Sequence, residues 1–182
     1  MEDKKLVGEV LKGNCDSFSI IVNKYELNIF KFIYNLTHDR ESAQDITQET
    51  FIAAYNKLYT YNNKYKFSNW LYQIAKNKTI DYIRKYKRVY ESNIEDEKNV
   101  ISKSMSPEEY TQYKETKTKI EKFIKGLNSL DKEIIILKYS QNLTFEDISI
   151  ILKINQSAVK RRFYKCREKY KELADIEKER CY

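Results

Sequence analysis

Three glycines and one proline in 182 residues leave this chain few places at which a helix must stop. In a helix interior Gly costs about 1 kcal/mol and Pro about 3 kcal/mol relative to Ala. Their scarcity, among abundant Lys, Glu, Ile and Leu, points to an all-α fold. No run of roughly 18 apolar residues occurs, so no membrane-spanning helix is expected. Met1-Glu2-Asp3-Lys4-Lys5 leads straight into polar sequence, so no secretory leader is expected either. Cys15, Cys166 and Cys181 form no CxxC pair, and His38 is the single histidine. Neither a disulfide framework nor a zinc set is expected, and a reducing cytoplasm is the expected location. No metal or other cofactor is implied, and Cys15 and Cys181 receive no chemical role.

The charge is unevenly placed. The net +7 divides into +5 over residues 1–88 (15 basic, 10 acidic), −3 over 89–118 (4 and 7) and +5 over 119–182 (15 and 10). The stretch from Val89 to about Pro107 lacks a sustained apolar period and contains Glu95-Asp96-Glu97. Two small helical domains, 1–88 and 111–182, joined by a flexible acidic linker at 89–110, are therefore expected. Each domain is near the lower end of independently folding size.

Apolar spacing locates the helices. Phe18, Ile21, Val22, Tyr25, Ile29, Phe32 and Leu36 recur at steps of three and four, the mark of an amphipathic helix. A second helix is expected from about Glu41 to Leu58. At about 100° per residue its Ala43, Ile46, Thr50, Phe51, Ala54 and Leu58 share one face. Asp45, Gln48, Glu49, Ile52 and Asn56 line another, which by itself reads either as an ordinary solvated helix face or as a mixed acidic and aliphatic stripe suited to a charged protein partner. A loop rich in Tyr and Lys follows, 59–67. A long helix is then expected from about Ser68 to Arg88, with Leu71, Ile74, Ala75 and Tyr82 inward and Trp70, Gln73, Asn77, Arg84 and Arg88 on a separate stripe. Unstacked bases require flat faces and cations for the backbone, and Tyr59, Tyr61, Lys64, Tyr65, Lys66 and Phe67 offer both within one loop.

In the second domain helices are expected around Thr111–Leu127 and Asp131–Tyr139. Thr144 with Asp147 reads as a capping box for a helix ending near Leu152, and Asn155 as the cap of a last helix from Gln156 to beyond Leu173. Two helices about a tight turn, Lys153-Ile154-Asn155, form a helix-turn-helix pattern. Lys153 stands where such turns often carry Gly, a cost of up to about 1 kcal/mol if positive φ is needed. Val159, Phe163, Cys166, Tyr170 and Leu173 mark the buried stripe. Seven basic residues lie between Lys160 and Lys171 against the single acid Glu168, more than solubility requires, so DNA binding is favoured over a merely solvated face.

Three stretches resemble one family. Ala43-Gln44-Asp45-Ile46-Thr47-Gln48-Glu49-Thr50-Phe51 is similar to the region 2 helix of bacterial sigma factors. Phe67-Ser68-Asn69-Trp70-Leu71-Tyr72-Gln73-Ile74-Ala75-Lys76-Asn77, continuing to Asp81 and Arg84, resembles the segment that follows it. Leu127 to Leu173 resembles the region 4 helix-turn-helix, and Gly13-Asn14 with Phe18 and Tyr25 fits the N-terminal pattern. The short linker resembles that of the extracytoplasmic-function (ECF) subgroup. Departures are Leu130-Asp131, where the family often has Leu-Pro, and Ala158-Val159, where it usually has Thr-Val.

The resemblance implies an alternative sigma factor, a non-enzymatic subunit that binds core RNA polymerase and directs initiation at promoter DNA. It implies polymerase contact through Asp45, Gln48, Glu49 and Ile52. Recognition and melting of the minus-ten element would fall to Tyr59, Tyr61, Lys64, Tyr65, Lys66, Phe67, Trp70, Gln73, Asn77, Arg84 and Arg88. Trp70 reads equally as a packing anchor. The minus-thirty-five element would be read by Gln156, Ser157, Lys160, Arg161 and Lys165. An anti-sigma protein is a further implied partner, and the linker is either a channel occupant or a plain tether. A stand-alone helix-turn-helix regulator explains the second domain as well, but leaves the aromatic loop and the Asp45 stripe without a purpose. No Gly-rich phosphate loop or nucleophile motif suggests an enzyme.

Overall fold

The computed structural model describes residues 2–90, 116 and 118–180, and no strand occurs among them. The helices are α1 (Glu2–Leu11), α2 (Asp16–Thr37), α3 (Arg40–Asn56), α4 (Phe67–Tyr90), α5 (118–125), α6 (Ser129–Tyr139), α7 (Phe145–Leu152) and α8 (Gln156–Arg180). A single 3-10 turn, Leu58–Thr60, follows α3. The expected linker lies outside the described residues from 91 onward. So do Cys181, the first residues of the segment expected from Thr111, and the side chain of Arg88.

Short polar side chains set the helix starts. Asp39 accepts from Ser42 N–H at 2.8 Å, Asn128 from Asp131 N–H at 3.0 Å, Thr144 from Asp147 N–H at 3.1 Å and Asn155 from Ala158 N–H at 2.7 Å. Each such cap is worth about 1 kcal/mol. Helix α2 ends at His38 in the left-handed region, φ 56°, with its N–H on Tyr34 O. Two residues, His38 and the Asp39 cap, thus separate α2 from α3.

The first half buries Ile21, Ile29, Phe32 and Ile33 of α2 against Ala43, Ile46, Phe51 and Ala54 of α3 and Phe67, Leu71 and Ala75 of α4. Fully burying one such aliphatic or aromatic side chain contributes about 1.5–3 kcal/mol. Thr47, Thr50 and Thr79 lie in the same interior, each donating its hydroxyl to the carbonyl four residues back. Leu6, Val7 and Val10 seat α1 on this bundle, and Asp3 fixes it by accepting from Lys24 Nζ (2.6 Å) and Tyr25 OH (2.7 Å). Burial first, then the Asp3 hydrogen bond, pushes the Tyr25 hydroxyl far above its ordinary pKa.

The second half closes Ile134 and Leu137 of α6, Ile148 and Ile151 of α7, and Val159 and Phe163 of α8 around one interior. The expected stripe on α8 stops short. Tyr170 is half-buried against Phe123 at 5.2 Å between ring centroids, and Leu173 is 50% exposed. Helix α8 runs on past α6 and α7, so Leu173 has no buried position to occupy there.

The two halves are packed together. Helix α4 lies against α7, and α2 against α6. Tyr72 OH donates to Gln141 Oε1 (2.8 Å), Asn35 Nδ2 to Ser140 Oγ (2.9 Å) and Lys132 Nζ to Leu36 O (3.3 Å). The two halves thus meet through direct polar contacts that charge patterning does not reveal.

Candidate nucleic-acid and protein interfaces

On α3 the residues that fill the core leave the opposite face to solvent. Asp45, Gln48 and Glu49 are exposed, and Ile52 is 62% exposed. Glu49 pairs with Lys78 of α4 at 2.8 Å, both side chains well exposed, so the pair adds little stability. Helix α2 contributes residues that the stripe on α3 does not show. Leu27 is 61% exposed, and a groove between the helices is lined by Glu26, Leu27, Phe30, Arg40, Gln44, Asp45, Thr47 and Gln48. Leu27 was legible as an apolar residue off the core period of its helix. The result is a surface of acidic, aliphatic and amide side chains with Arg40 at the groove.

The loop after α3 is held by its own side chains. Tyr61 OH donates to Tyr65 O at 2.7 Å, and Asn62 Oδ1 accepts from Lys64 N–H at 3.0 Å. Tyr59 (77% exposed) and Tyr65 (52%) turn rings to solvent, with Lys64 and Lys66 exposed beside them. Phe67 differs from expectation. It is 1% exposed, with ring centroids of Tyr61 and Trp70 at 5.4 Å and Tyr25 at 5.8 Å. As the first residue of α4 its side chain turns back over the bundle, so Phe67 is a core residue with no face free for a base. Trp70 is half-buried in the same aromatic group, which favours its reading as a packing anchor.

Further along α4, Asn77 and Arg84 are exposed. Gln73 is engaged: its Nε2 donates to Ile150 O of α7 at 2.9 Å. Lys66 Nζ and Asn69 Nδ2 each donate at 2.8 Å to Asp147, on its Oδ2 and Oδ1. Asn69 has no role in the sequence reading, yet it is 1% exposed and its Oδ1 lacks a hydrogen-bond partner. Burial raises the Asp147 carboxyl, but hydrogen bonds from Lys66, Asn69 and Thr144 outweigh it and hold the pKa below the usual aspartate value.

At the helix-turn-helix, Lys153 adopts φ 55°, ψ 42°, the left-handed conformation that a Gly would take without cost. Asn155 caps α8 and also accepts from Ser157 Oγ at 2.9 Å. Gln156, Ser157, Lys160, Arg161 and Lys165 are all exposed on one side of α8. Arg162 is turned the other way and pairs with Asp131 at 2.9 Å. Tyr164, 48% exposed, adds an aromatic ring to the basic face. Free amides at the helix start and long cations along it suit a phosphate backbone and a major groove.

His38 ends α2 with part of its surface exposed, and desolvation by the protein packed around the ring, then Lys132 and Lys125 nearby, lower its pKa to about 4. Cys15 lies 3.4 Å from Tyr55 OH, and Cys166 is buried. Among the described residues no His, Cys, Asp and Glu cluster is arranged to hold a metal, and no helix is long and apolar enough to cross a membrane.

Comparison with known proteins bears on these surfaces. A family model described as sigma-70 region 2 matches residues 21–89, and one described as a protein of unknown function (DUF722) matches 59–172. The chain is 34% identical over 182 residues to the ECF RNA polymerase sigma factor SigW of Bacillus subtilis (strain 168), covering 95% of this chain and 97% of that one. It is 30% identical over 159 residues to the ECF RNA polymerase sigma factor SigM of the same organism, covering 84% and 92%. In fold it is similar to CnrH in complex with the cytosolic domain of CnrY (TM-score 0.73, 19% identity, 97% of this chain and 99% of that one). It is likewise similar to the sigma factor RpoE in complex with the anti-sigma factor NepR from Bartonella quintana (TM-score 0.67, 20% identity, 87% and 97%).

Proposed function

This chain belongs to the family of ECF sigma factors, and from that premise we propose that its exposed surfaces divide the work of promoter recognition. It is an alternative, non-enzymatic sigma factor that binds core RNA polymerase and directs transcription initiation. The Asp45, Gln48, Glu49 and Ile52 face, widened by Leu27, is the polymerase contact. Tyr59, Tyr61, Lys64, Tyr65 and Lys66, with Gln73, Asn77, Arg84 and Arg88 along α4, take the minus-ten strand. Gln156, Ser157, Lys160, Arg161 and Lys165 read the minus-thirty-five duplex. Residues 1–88 and 111–182 are the two functional units, and the acidic 89–110 segment joins them. The protein works in the cytoplasm, where polymerase and chromosome are. An anti-sigma protein is a further partner, supported by the fold neighbour RpoE, which was solved with the anti-sigma factor NepR.

The observation that carries this reading is the outward face of α3. A stand-alone regulator needs α8 to bind DNA but has no use for an acidic stripe carrying a 62% exposed isoleucine. Mixing the protein with core polymerase tests it. A stoichiometric complex on size exclusion and run-off transcripts from genomic fragments are expected. Binding of duplex DNA without either result would establish the regulator instead.

A further inference from the structure

Gly8 stands in the interior of α1, where no contact within the protein requires a glycine. Gly in a helix is destabilising relative to Ala, because the unfolded chain has more freedom to lose. A Cβ at this position would meet no atom within 4 Å, so a side chain would enter open space. That space is a cleft of about 500 Å³ between α1 and the loop after α3. Lys4, Val7, Gly8 and Leu11 line one wall, and residues 60–63 line the other. Lys4, Gly8 and Leu11 follow at steps of four and three, so one side of α1 faces the cleft. Among the described residues its lining has no carboxylate, unlike the groove between α2 and α3, which contains Glu26 and Asp45. It offers the Lys4 ammonium, the amides of Asn62 and Asn63, the Tyr61 ring and bare backbone at Gly8. An unstacked nucleotide presents the complementary set: an anionic phosphate, hydrogen-bonding edges and a flat face that can lie close against backbone. Resting on the assignment of the loop to the minus-ten strand, we infer that this cleft receives a further unstacked base of that strand, which makes α1 part of the DNA site.

The two walls are held at a set spacing before any strand arrives. Asp3 anchors the start of α1 by accepting from Tyr25 OH at 2.7 Å and Lys24 Nζ at 2.6 Å. Towards the other end, Glu9 accepts from Ser17 Oγ at 2.6 Å. The ring centroid of Tyr25 lies 5.8 Å from that of Phe67, and Phe67 lies 5.4 Å from Tyr61 on the loop wall. Tyr61 is fixed in turn by its hydroxyl, which donates to Tyr65 O at 2.7 Å. Helix α1 and the loop therefore rest on one aromatic group, and the Tyr61 ring is not free to swing across and fill the cleft. A site ordered in advance loses less binding free energy to ordering itself. Tyr59 and Tyr65, exposed rings of the same loop, flank residues 60–63 in sequence. A strand stacked on them runs along the same wall.

Gly8→Leu fills the cleft with a side chain and improves the helix, so the variant should melt no lower than wild type. The full chain is assembled with core polymerase, and anisotropy reads binding of a fluorescein-labelled non-template strand. That strand runs from the minus-ten element to the start site of a genomic promoter that the wild-type holoenzyme transcribes. Each base in turn is replaced by an abasic site, which keeps the phosphate. One stacked base is worth about tenfold in affinity, so for wild type the abasic sites at the loop rings and at the cleft should each cost about that much. Gly8→Leu should bind the intact strand about tenfold more weakly. One abasic position should then cost it less than about twofold, while the others keep their effect. Asn63→Ala, exposed on the opposite wall, should shrink the effect of that same position, and it decides alone if Gly8→Leu melts lower. Wild-type affinity in Gly8→Leu overturns the inference, as does a uniform loss that leaves every abasic effect in place. So does Asn63→Ala if it alters only other positions or none. A wild-type holoenzyme whose binding no abasic site weakens overturns the minus-ten assignment itself, and the cleft with it.

Discussion

Replacing Phe67 by Ala separates two roles for the aromatic segment, because core packing and base stacking make opposite demands on that ring. Phe67 is 1% exposed and touches the rings of Tyr25, Tyr61 and Trp70. Truncating a buried Phe to Ala costs about 3–5 kcal/mol, including the cavity left behind. The aromatic contacts, each worth about 0.5–1.5 kcal/mol, fall within that figure. If the 182 residues, whose halves are packed together, unfold as one unit, 1 kcal/mol corresponds to about 2–4 °C in Tm, so a drop on the order of 6–20 °C is expected. Trp70 is the single tryptophan and its ring lies 5.4 Å from that of Phe67, so its fluorescence reports unfolding of this region directly. The companion variant Tyr65→Ala, at an exposed ring, should melt within about 0.5 kcal/mol of wild type. It should instead impair promoter opening. A Phe67→Ala protein that melts like wild type yet fails to open promoters would refute the burial argument and return Phe67 to the stacking set.

Other perturbations probe the remaining surfaces. Lys153→Gly relieves a left-handed residue at the turn and should raise stability by about 0.5–1 kcal/mol in urea denaturation, less whatever freedom Gly adds to the unfolded chain. Arg161→Ala should weaken initiation on duplex promoters while sparing a pre-melted template; equal loss on both would remove it from duplex reading. The folded-state pKa of His38, about 4, lies below its ordinary 6.5, so the unfolded chain takes up the proton first. The stability this provides is complete above about pH 6.5 and is lost as pH falls toward 4. His38→Asn, which tolerates the same left-handed backbone, should flatten the dependence of the urea midpoint between pH 7 and pH 5.

Much of this protein was legible without coordinates. Three- and four-residue spacing located α2, α3, α4 and α8, and Asn155 and Thr144 marked two starts where a short polar side chain meets a free amide. Those are local matters, decided by neighbours within a turn or two of the chain. For the same reason the outward faces of α3 and α8 could be read directly, since a residue opposite a helix's core stripe has nowhere to go but solvent. Helix α1 was missed although Leu6, Val7 and Val10 carry the spacing, because ten residues offer too few repeats to stand out.

What the sequence could not determine depends on partners far away along the chain. Phe67 has the composition of its loop but the burial of the helix it begins, and the packing of Tyr25 from α2 with Tyr61 and Trp70 around its ring decides that. Leu173 continues a buried stripe in sequence, yet α6 and α7 end before it. Lys66, Asn69 and Gln73 look like free donors in any local reading. Their acceptors, Asp147 and the Ile150 carbonyl, are 77 to 81 residues away, and folding alone brings them within 3 Å. Periodicity and capping chemistry specify which faces exist. Tertiary packing decides which of those faces is open, because burial is a property of what another element covers.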